Sequence, residues 1–252
     1  MRLFQFPTLS DIPHFRHAIT TRDGGFSGGD FAGLNLAFHV GDDAAIVRRN
    51  RRALAAQLGF DAETLVAAKQ VHGAHCVIVT RTDAGRGALD WESALSDTDA
   101  MVTTEVGLPL LILVADCAPI LLVEPNARVL AVVHAGWRGA VAGVASGAVK
   151  AMQSLGAQPA EIRAGIGPCL CARNLEVGDE VAALVADKTV LEACGEKFLL
   201  DLRALVRRDL QTVGVKQIET LDVCPKDEGE TFFSHRGQNG EAGRFGIVAW
   251  WD

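Results

Sequence analysis

Apolar and polar residues follow two different periods along this chain. Around positions 42–59 the period is helical: Ile46, Val47, Leu54 and Leu58 form one stripe, Asp42 or Asp43 can accept the free amides of the first turn, and Gly59 supplies a stop. The other side carries Arg48, Arg49, Arg51 and Arg52, which reads as a solvated face. From Leu65 onward the period shortens. Positions 71–79 and 97–103 read as strands. Positions 110–114, 120–123 and 129–133 are short apolar runs between turn residues, the pattern of central strands buried on both faces. A helix is predicted over 138–155, with Val141, Val144, Ala148, Met152 and Leu155 inward and Gly156 as its end. A strand over 162–166, helices over 177–185 and 201–213, and strands over 218–223, 231–234 and 245–251 complete the pattern. Residues 20–35, rich in Gly, Asp and Asn, read as loop or hairpin. The strands come in adjacent runs and do not alternate strictly with helices. That predicts a mixed α/β fold with mixed sheets and outer helices. No repeat, low-complexity tract or linker interrupts the 252 residues, so one domain over 1–252 is expected.

Charge and composition narrow the partners. With 24 Lys+Arg against 31 Asp+Glu the formal charge is −7. Clustered basic residues suited to phosphate backbones are lacking, so no nucleic-acid partner is expected. An acidic balance gives little affinity for anionic lipid. The most apolar stretch, 108–123, is interrupted by Asp116, Cys117 and Pro119 and is shorter than the ~20 residues of a membrane span. The chain opens without a sustained apolar segment of the secretory kind. A chain of this size stabilises itself by burial, and its six Cys are read as reduced thiols in a cytoplasmic protein.

Several motif matches fail on context. Gly25-Phe26-Ser27-Gly28-Gly29 fits G-x-S-x-G by letter, but no strand-to-helix turn surrounds it. Gly165-Ile166-Gly167-Pro168-Cys169 lacks the third glycine of a dinucleotide loop. Pro168-Cys169-Leu170-Cys171 is one residue short of the deaminase signature P-C-x-x-C, and no His is followed by x-Glu. Cys169 and Cys171 then read best as small, semi-buried hydrophobes.

One constellation survives. Lys69-Gln70-Val71-His72-Gly73, Ala115-Asp116-Cys117-Ala118-Pro119 and Val133-His134-Ala135-Gly136-Trp137-Arg138-Gly139 each put a metal-ligand type of residue at or inside a strand-like run. Two imidazoles and one thiolate are a zinc-type set, and three protein ligands leave the open position of a catalytic site. The three residues match no local metal motif, so a satisfied core histidine and a buried thiol remain alternatives. His75, three positions after His72, points to the other face of a strand and falls outside such a site. The glycine-flanked helix start after His134 is also suited to an anion.

The strings LNLAFHVGDD, KQVHGA, DTDAMVT, ADCAPILL, VVHAGWRG, GIGPC and SHRGQNGEAGR, in this order from about Thr20 to Trp250, resemble the YfiH-like family, also called laccase-domain or polyphenol-oxidase-like. The resemblance implies a single domain with mixed sheets packed between helices in α/β/β/α layers. It implies Zn²⁺ held by His72, Cys117 and His134, which would also be the catalytic residues. It implies phosphorolysis of adenosine, inosine, guanosine and methylthioadenosine, and deamination of adenosine. The partners are then a purine nucleoside and phosphate, bound by a monomer or homodimer. Asn35, Gln70, Arg138 and Arg244 are the expected substrate contacts, and Trp137 a possible stacking partner. Asp99 and Asp116 are expected to orient ligands or move protons, with caps or turn residues as the alternative. Where the family often has Tyr followed by two Arg, this chain has His235, Arg236 and Gly237, one positive charge fewer.

Three function classes follow: a zinc-dependent nucleoside phosphorylase and deaminase, an amide hydrolase editing peptidoglycan precursors, and a metal-stabilised binding protein. Copper-dependent polyphenol oxidation is a further alternative in name. Seven His without an H-x-H pair cannot ligate a four-copper set, so Cu²⁺ in this site is expected to be adventitious.

Overall fold

The computed structural model describes residues 1–252. Its strands are β1 (Leu3–Phe4), β2 (Phe15–Thr20), β3 (Val66–Ala67), β4 (Cys76–Ile78), β5 (Ala100–Thr103), β6 (Leu110–Val114), β7 (Ala118–Glu124), β8 (Val129–Ala135), β9 (Arg163–Ile166), β10 (Glu176–Val177), β11 (Leu191–Cys194), β12 (Lys197–Leu200), β13 (Gln217–Thr220) and β14 (Phe245–Trp251). Its helices are α1 (Pro7–Ser10), α2 (Ala44–Leu58), α3 (Trp137–Val141), α4 (Val144–Ser154), α5 (Asp179–Leu184) and α6 (Leu202–Thr212). Two sheets carry the architecture. One has the order β1-β2-β14-β6-β3 and the other β13-β9-β7-β8-β5-β4, each mixing parallel and antiparallel pairs. A third, antiparallel sheet β10-β12-β11 sits at one side.

Side-chain alternation explains the layers. On β8, Val129, Ala131, Val133 and Ala135 join one core, with α4 and α6, while Leu130 and Val132 face the other sheet. On β6, Leu110, Ile112 and Val114 face between the sheets, whereas Leu111 and Leu113 pack with Leu54 of α2. Each central strand is thus buried on both faces, which is why its sequence is continuously apolar. The result is the expected α/β/β/α stack, with three cores between four layers. His134 has the parity of Leu130 and Val132, so its ring enters the space between the sheets. It pairs with Pro119 across the β7–β8 ladder, two residues beyond Cys117.

The structure changes several local readings. The strand expected over 71–79 is only Cys76–Ile78. Residues 69–75 form a loop, because Asp99 captures their amides in place of a neighbouring strand. The helix over 138–155 is broken into α3 and α4 by Gly143, at φ +75°. Only β10 and the short α5 occupy 176–184, where one helix was expected. The strand over 231–234 is turn and coil. The strand β2 and the hairpin β11–β12 carry no strong sequence period and were not anticipated. On α2, Asp43 accepts from the Ala45 amide and Gly59 closes the helix in the left-handed region, as read from sequence. The arginine face is not wholly solvated, however. Arg51 is buried and donates to the carbonyls of Leu36, Gly87 and Ala88, tying α2 to two loops.

One buried histidine lies far from the chemistry. His17 stacks between Phe6 and Phe15, and its Nε2 accepts from the Phe6 amide at 2.9 Å. Burial lowers its pKa to about 4. The unfolded chain therefore takes up this proton at higher pH than the folded one. Stability contributed by neutral His17 is present above about pH 6.5 and is lost as pH falls toward 4. Chemical denaturation in that window should show stability falling on acidification, by up to about 3 kcal/mol. The slope should flatten in His17→Phe, and an unchanged slope would contradict the assignment.

Candidate metal centre

Three segments meet at one mouth of the intersheet core. His134 is the penultimate residue of β8, Cys117 immediately precedes β7, and His72 stands in the 69–75 loop. One ligand atom from each lies within 4.8 Å of the others. The imidazole rings of His72 and His134 are 4.7 Å apart and nearly perpendicular. His134 is buried, Cys117 half-buried and His72 exposed, so the cluster is closed from inside and open to solvent.

Asp99 organises this arrangement. It is fully buried just before β5, and its carboxylate accepts from the amides of Val71, His72 and Gly73 at 3.3, 3.0 and 2.7 Å. The same carboxylate lies 2.8 Å from His134 Nδ1, leaving Nε2 free to act as a ligand. A carboxylate behind a ligating histidine fixes its tautomer and orientation. The amides that wrap Asp99 also hold His72 at φ +61°, a costly conformation for a non-glycine residue. Burial opposes the charge on Asp99, but the bonds from His134 and the loop amides outweigh it and lower its pKa. Burial likewise disfavours the Cys117 thiolate, yet His134 and His72 bring that pKa down to about 6. Burial opposes a charged His134, while Cys117 and Asp99 together lift it to about 9. Cys117 and His134 thus favour each other's charged forms, and a cation entering between them would displace a proton.

Close packing also favours a small ion here. A Cβ on Gly136 would stand 2.9 Å from His72 Cδ2 and 3.1 Å from Cys117 Sγ. Gly136→Ala, whose backbone is unstrained, should displace both ligands and weaken metal binding by at least about tenfold. Equilibrium titration with a competing chelator measures this, and wild-type affinity would refute it.

The open side leads into a cavity of about 270 Å³ lined by His39, Gln70, His72, Leu113, Val114, Ala115, Cys117, His134, His235 and Arg244. Larger cavities, of about 590 and 530 Å³, lie elsewhere and lack this donor set. Gln70 is fixed by a double hydrogen bond with the Leu113 backbone. Arg244 is half-buried, with Nη1 on the carbonyls of Ala242 and Gly243. Asn35 is fully buried and does not line the cavity. Its Oδ1 accepts from the backbone amide of Arg244, and its Nδ2 donates to Asp42 and the Ala37 carbonyl. Asn35 therefore places the chain at Arg244 and is not itself a surface contact. Arg138 is exposed, stacks on Trp137 and is not among the residues lining the cavity, and Trp137 packs against the α4 core. Asp116 is buried; its Oδ2 accepts from the Arg236 amide and its Oδ1 has no partner. His75 lies outside, bonded to the Asp97 carbonyl. Ser27 is bonded to Asp42 and Asn50 in a loop, far from any nucleophile elbow.

Sequence reasoning passed over His39 and gave His235 no role beyond a departure. Both line the cavity. His39 packs against Trp91 with ring centroids 4.6 Å apart and the planes tilted by 36°, and burial with Arg244 and Arg51 nearby lowers its pKa to about 4. A lone histidine between Phe38 and Val40 offered only a weak sequence signal.

A two-sheet α/β sandwich with a bis-imidazole–thiol cluster at its mouth is the class defined by this fold and site. Solved structures share that fold. YfiH of Bacillus licheniformis superposes with a TM-score of 0.94 at 30% identity, covering 96% of this chain and 94% of that one. YlmD of Geobacillus stearothermophilus gives 0.92 at 35%, covering 95% and 93%. The latter species also supplies a relative named purine nucleoside phosphorylase YlmD, 38% identical over 90% of this chain and 86% of its own length. A purine nucleoside phosphorylase of Deinococcus radiodurans is 39% identical over 98% and 91%. The family described as multi-copper polyphenol oxidoreductase laccase matches residues 16–252, and the chain belongs to it. No helix is long and apolar enough to cross a membrane.

Proposed function

We propose that the protein is a zinc-dependent purine nucleoside phosphorylase that also deaminates adenosine, with adenosine, inosine, guanosine and methylthioadenosine as substrates. The observation that carries this reading is the convergence of His72, Cys117 and His134 at the floor of a solvent-open cavity whose wall presents Arg244. The names of the relatives support it. His72, Cys117 and His134 would hold the metal. When bound, Zn²⁺ supplies Lewis-acid polarisation of an oxygen on phosphate or water.

The chain's own residues do the rest. Phosphorolysis requires phosphate to attack the anomeric carbon of ribose as the purine leaves. Arg244 offers a fixed positive charge for the phosphate, held in place by the Ala242 and Gly243 carbonyls and by Asn35 on its backbone. Neutral His39 and the remaining N–H of Gln70 offer hydrogen bonds to ribose or base without adding charge. Asp99 keeps His134 oriented, and Asp116 anchors the 234–237 turn that brings His235 to the wall. Of the two arginines expected to contact substrate, Arg244 lines the cavity and is the one assigned this role here.

The oxidase name of the family fits these residues poorly. Only His72 and His134 combine with a thiol in a ligand cluster, and the other candidate cluster contains no histidine. Copper would enter this same set by affinity alone. The decisive assay incubates zinc-loaded protein with adenosine, with and without phosphate. Phosphate-dependent release of adenine, together with slower formation of inosine, is expected. No turnover of nucleosides, with cleavage of a muramyl-peptide precursor, would replace this reading with amide hydrolysis. An inert protein that melts on zinc removal would leave only a binding role.

A further inference from the structure

We infer that the protein has a second cation site, formed by Cys171, Cys224 and Asp227, which takes a thiophilic divalent metal of the zinc class and ties together two loops behind the first centre. The inference does not depend on the proposed phosphorylase activity.

The two thiols and a carboxylate oxygen of Asp227 lie within 4.8 Å of one another. The amide nitrogen of Asn174 stands among them, 3.3 Å from Cys171 Sγ, 3.2 Å from Cys224 Sγ and 2.9 Å from Asp227 Oδ1. Cys171 Sγ also donates to Asp227 Oδ2 at 3.5 Å, so both thiols, the carboxylate and the amide all converge on one point. Turning that amide by half a rotation presents its oxygen to the same point. The set then becomes two sulfurs and two oxygens, four donors, as tetrahedral zinc requires. Arg173 reaches Asp227 from the solvent side at 2.5 Å, where it leaves the other carboxylate oxygen facing Asn174.

Both thiols are free in the structure, and their sulfurs converge on one point with the Asp227 carboxylate. Cys224 is buried and already lies 3.2 Å from the Cys171 amide.

The ligands come from two loops. Cys171 follows β9, while Cys224 and Asp227 follow β13. The Cys169 amide donates to the Val223 carbonyl, joining the loops at one further point. Both loops then reach Asp116, beside Cys117: the Leu170 amide donates to its carbonyl and the Arg236 amide to its Oδ2. A metal at Cys171, Cys224 and Asp227 would clamp the outer support of the first centre. Cys169 and Cys171 were both expected to be semi-buried hydrophobes; Cys169 lies wholly in the core, and Cys171 is a half-buried ligand candidate.

The test uses the full chain, stripped by chelator under reducing conditions and reloaded with Zn²⁺, then with Co²⁺. Wild type should retain two equivalents of zinc. Cys171→Ala/Cys224→Ala should retain one, and His134→Ala should retain one as well. The cobalt forms separate the sites: thiolate-to-metal absorption should fall by more than half in the double variant and persist in His134→Ala. Asp227→Asn, at an exposed carboxylate, should weaken only the second equivalent, by about tenfold or more. It also serves if the double variant fails to fold. One equivalent in wild type, or two in the double variant, would overturn the inference, as would a Cys171–Cys224 disulfide that forms in air with no loss of zinc.

Discussion

His134→Ala should lose phosphorolysis by more than about 100-fold, since a ligand is expected to matter at least as much as the groups that orient it. The imidazole does two things at once. Its Nε2 faces Cys117 and His72, and its Nδ1 meets Asp99 at 2.8 Å. Removing it deletes one of three donors and strips the Asp99 carboxylate of one partner, although three backbone amides remain. Loss of a buried ring should cost about 2–4 kcal/mol, which a core of this extent can absorb. Far-ultraviolet circular dichroism and a cooperative melt would show the fold intact while adenine release and zinc content both drop. His72→Ala provides the same test without the packing cost, because His72 is exposed. Wild-type turnover in either variant would eliminate the shared site.

Asp99→Ala should be the most destabilising single change near the centre. The carboxylate is fully buried and accepts from three successive loop amides and one imidazole. Its removal leaves those donors unpaired and frees the loop that holds His72, at a cost of about 3–5 kcal/mol. Asp99→Asn separates orientation from stability. It keeps the volume, but its NH₂ end must face a donor, so one loop amide or His134 loses its acceptor. Metal affinity should fall about 10–100-fold while the melt shifts only partly. Unaltered affinity in Asp99→Asn would mean that Asp99 supports only the loop. The pH dependence has a definite sign: the folded pKa is depressed, so this stabilisation is present above the usual carboxylate range and disappears as pH falls below it.

Much of the fold was legible because central strands buried on both faces must be apolar throughout. The runs at 110–114 and 245–251 match β6 and β14 residue for residue, and β7 and β8 extend their predicted cores by one or two residues at their ends. Caps were equally readable on α2, where Asp43 and Gly59 act through local backbone geometry. Reading failed where a distant group overrode local preference. Arg51 is buried among carbonyls that no helical wheel reveals. The 69–75 loop reads as a strand only while Asp99, more than twenty residues away, is left out of account. Asn35 and Arg138 carry the polarity expected of substrate contacts, but packing commits one to the Arg244 backbone and turns the other to solvent.

Periodicity and residue chemistry are local properties, so the chain by itself marked the central strands, most of the longer helices and three metal-ligand candidates, while the layer order came from its resemblance to a family. The chain left open whether those three residues meet, since nothing in their spacing brings a loop, a strand start and a strand end together. Tertiary structure decided that. The parity of β8 turns His134 inward, the β7–β8 register sets Cys117 beside it, and one buried carboxylate folds the His72 loop over both. The same distant pairing brings Cys171 to Cys224 and Asp227, a cluster that the sequence presents only as separate thiols and an ordinary surface acid.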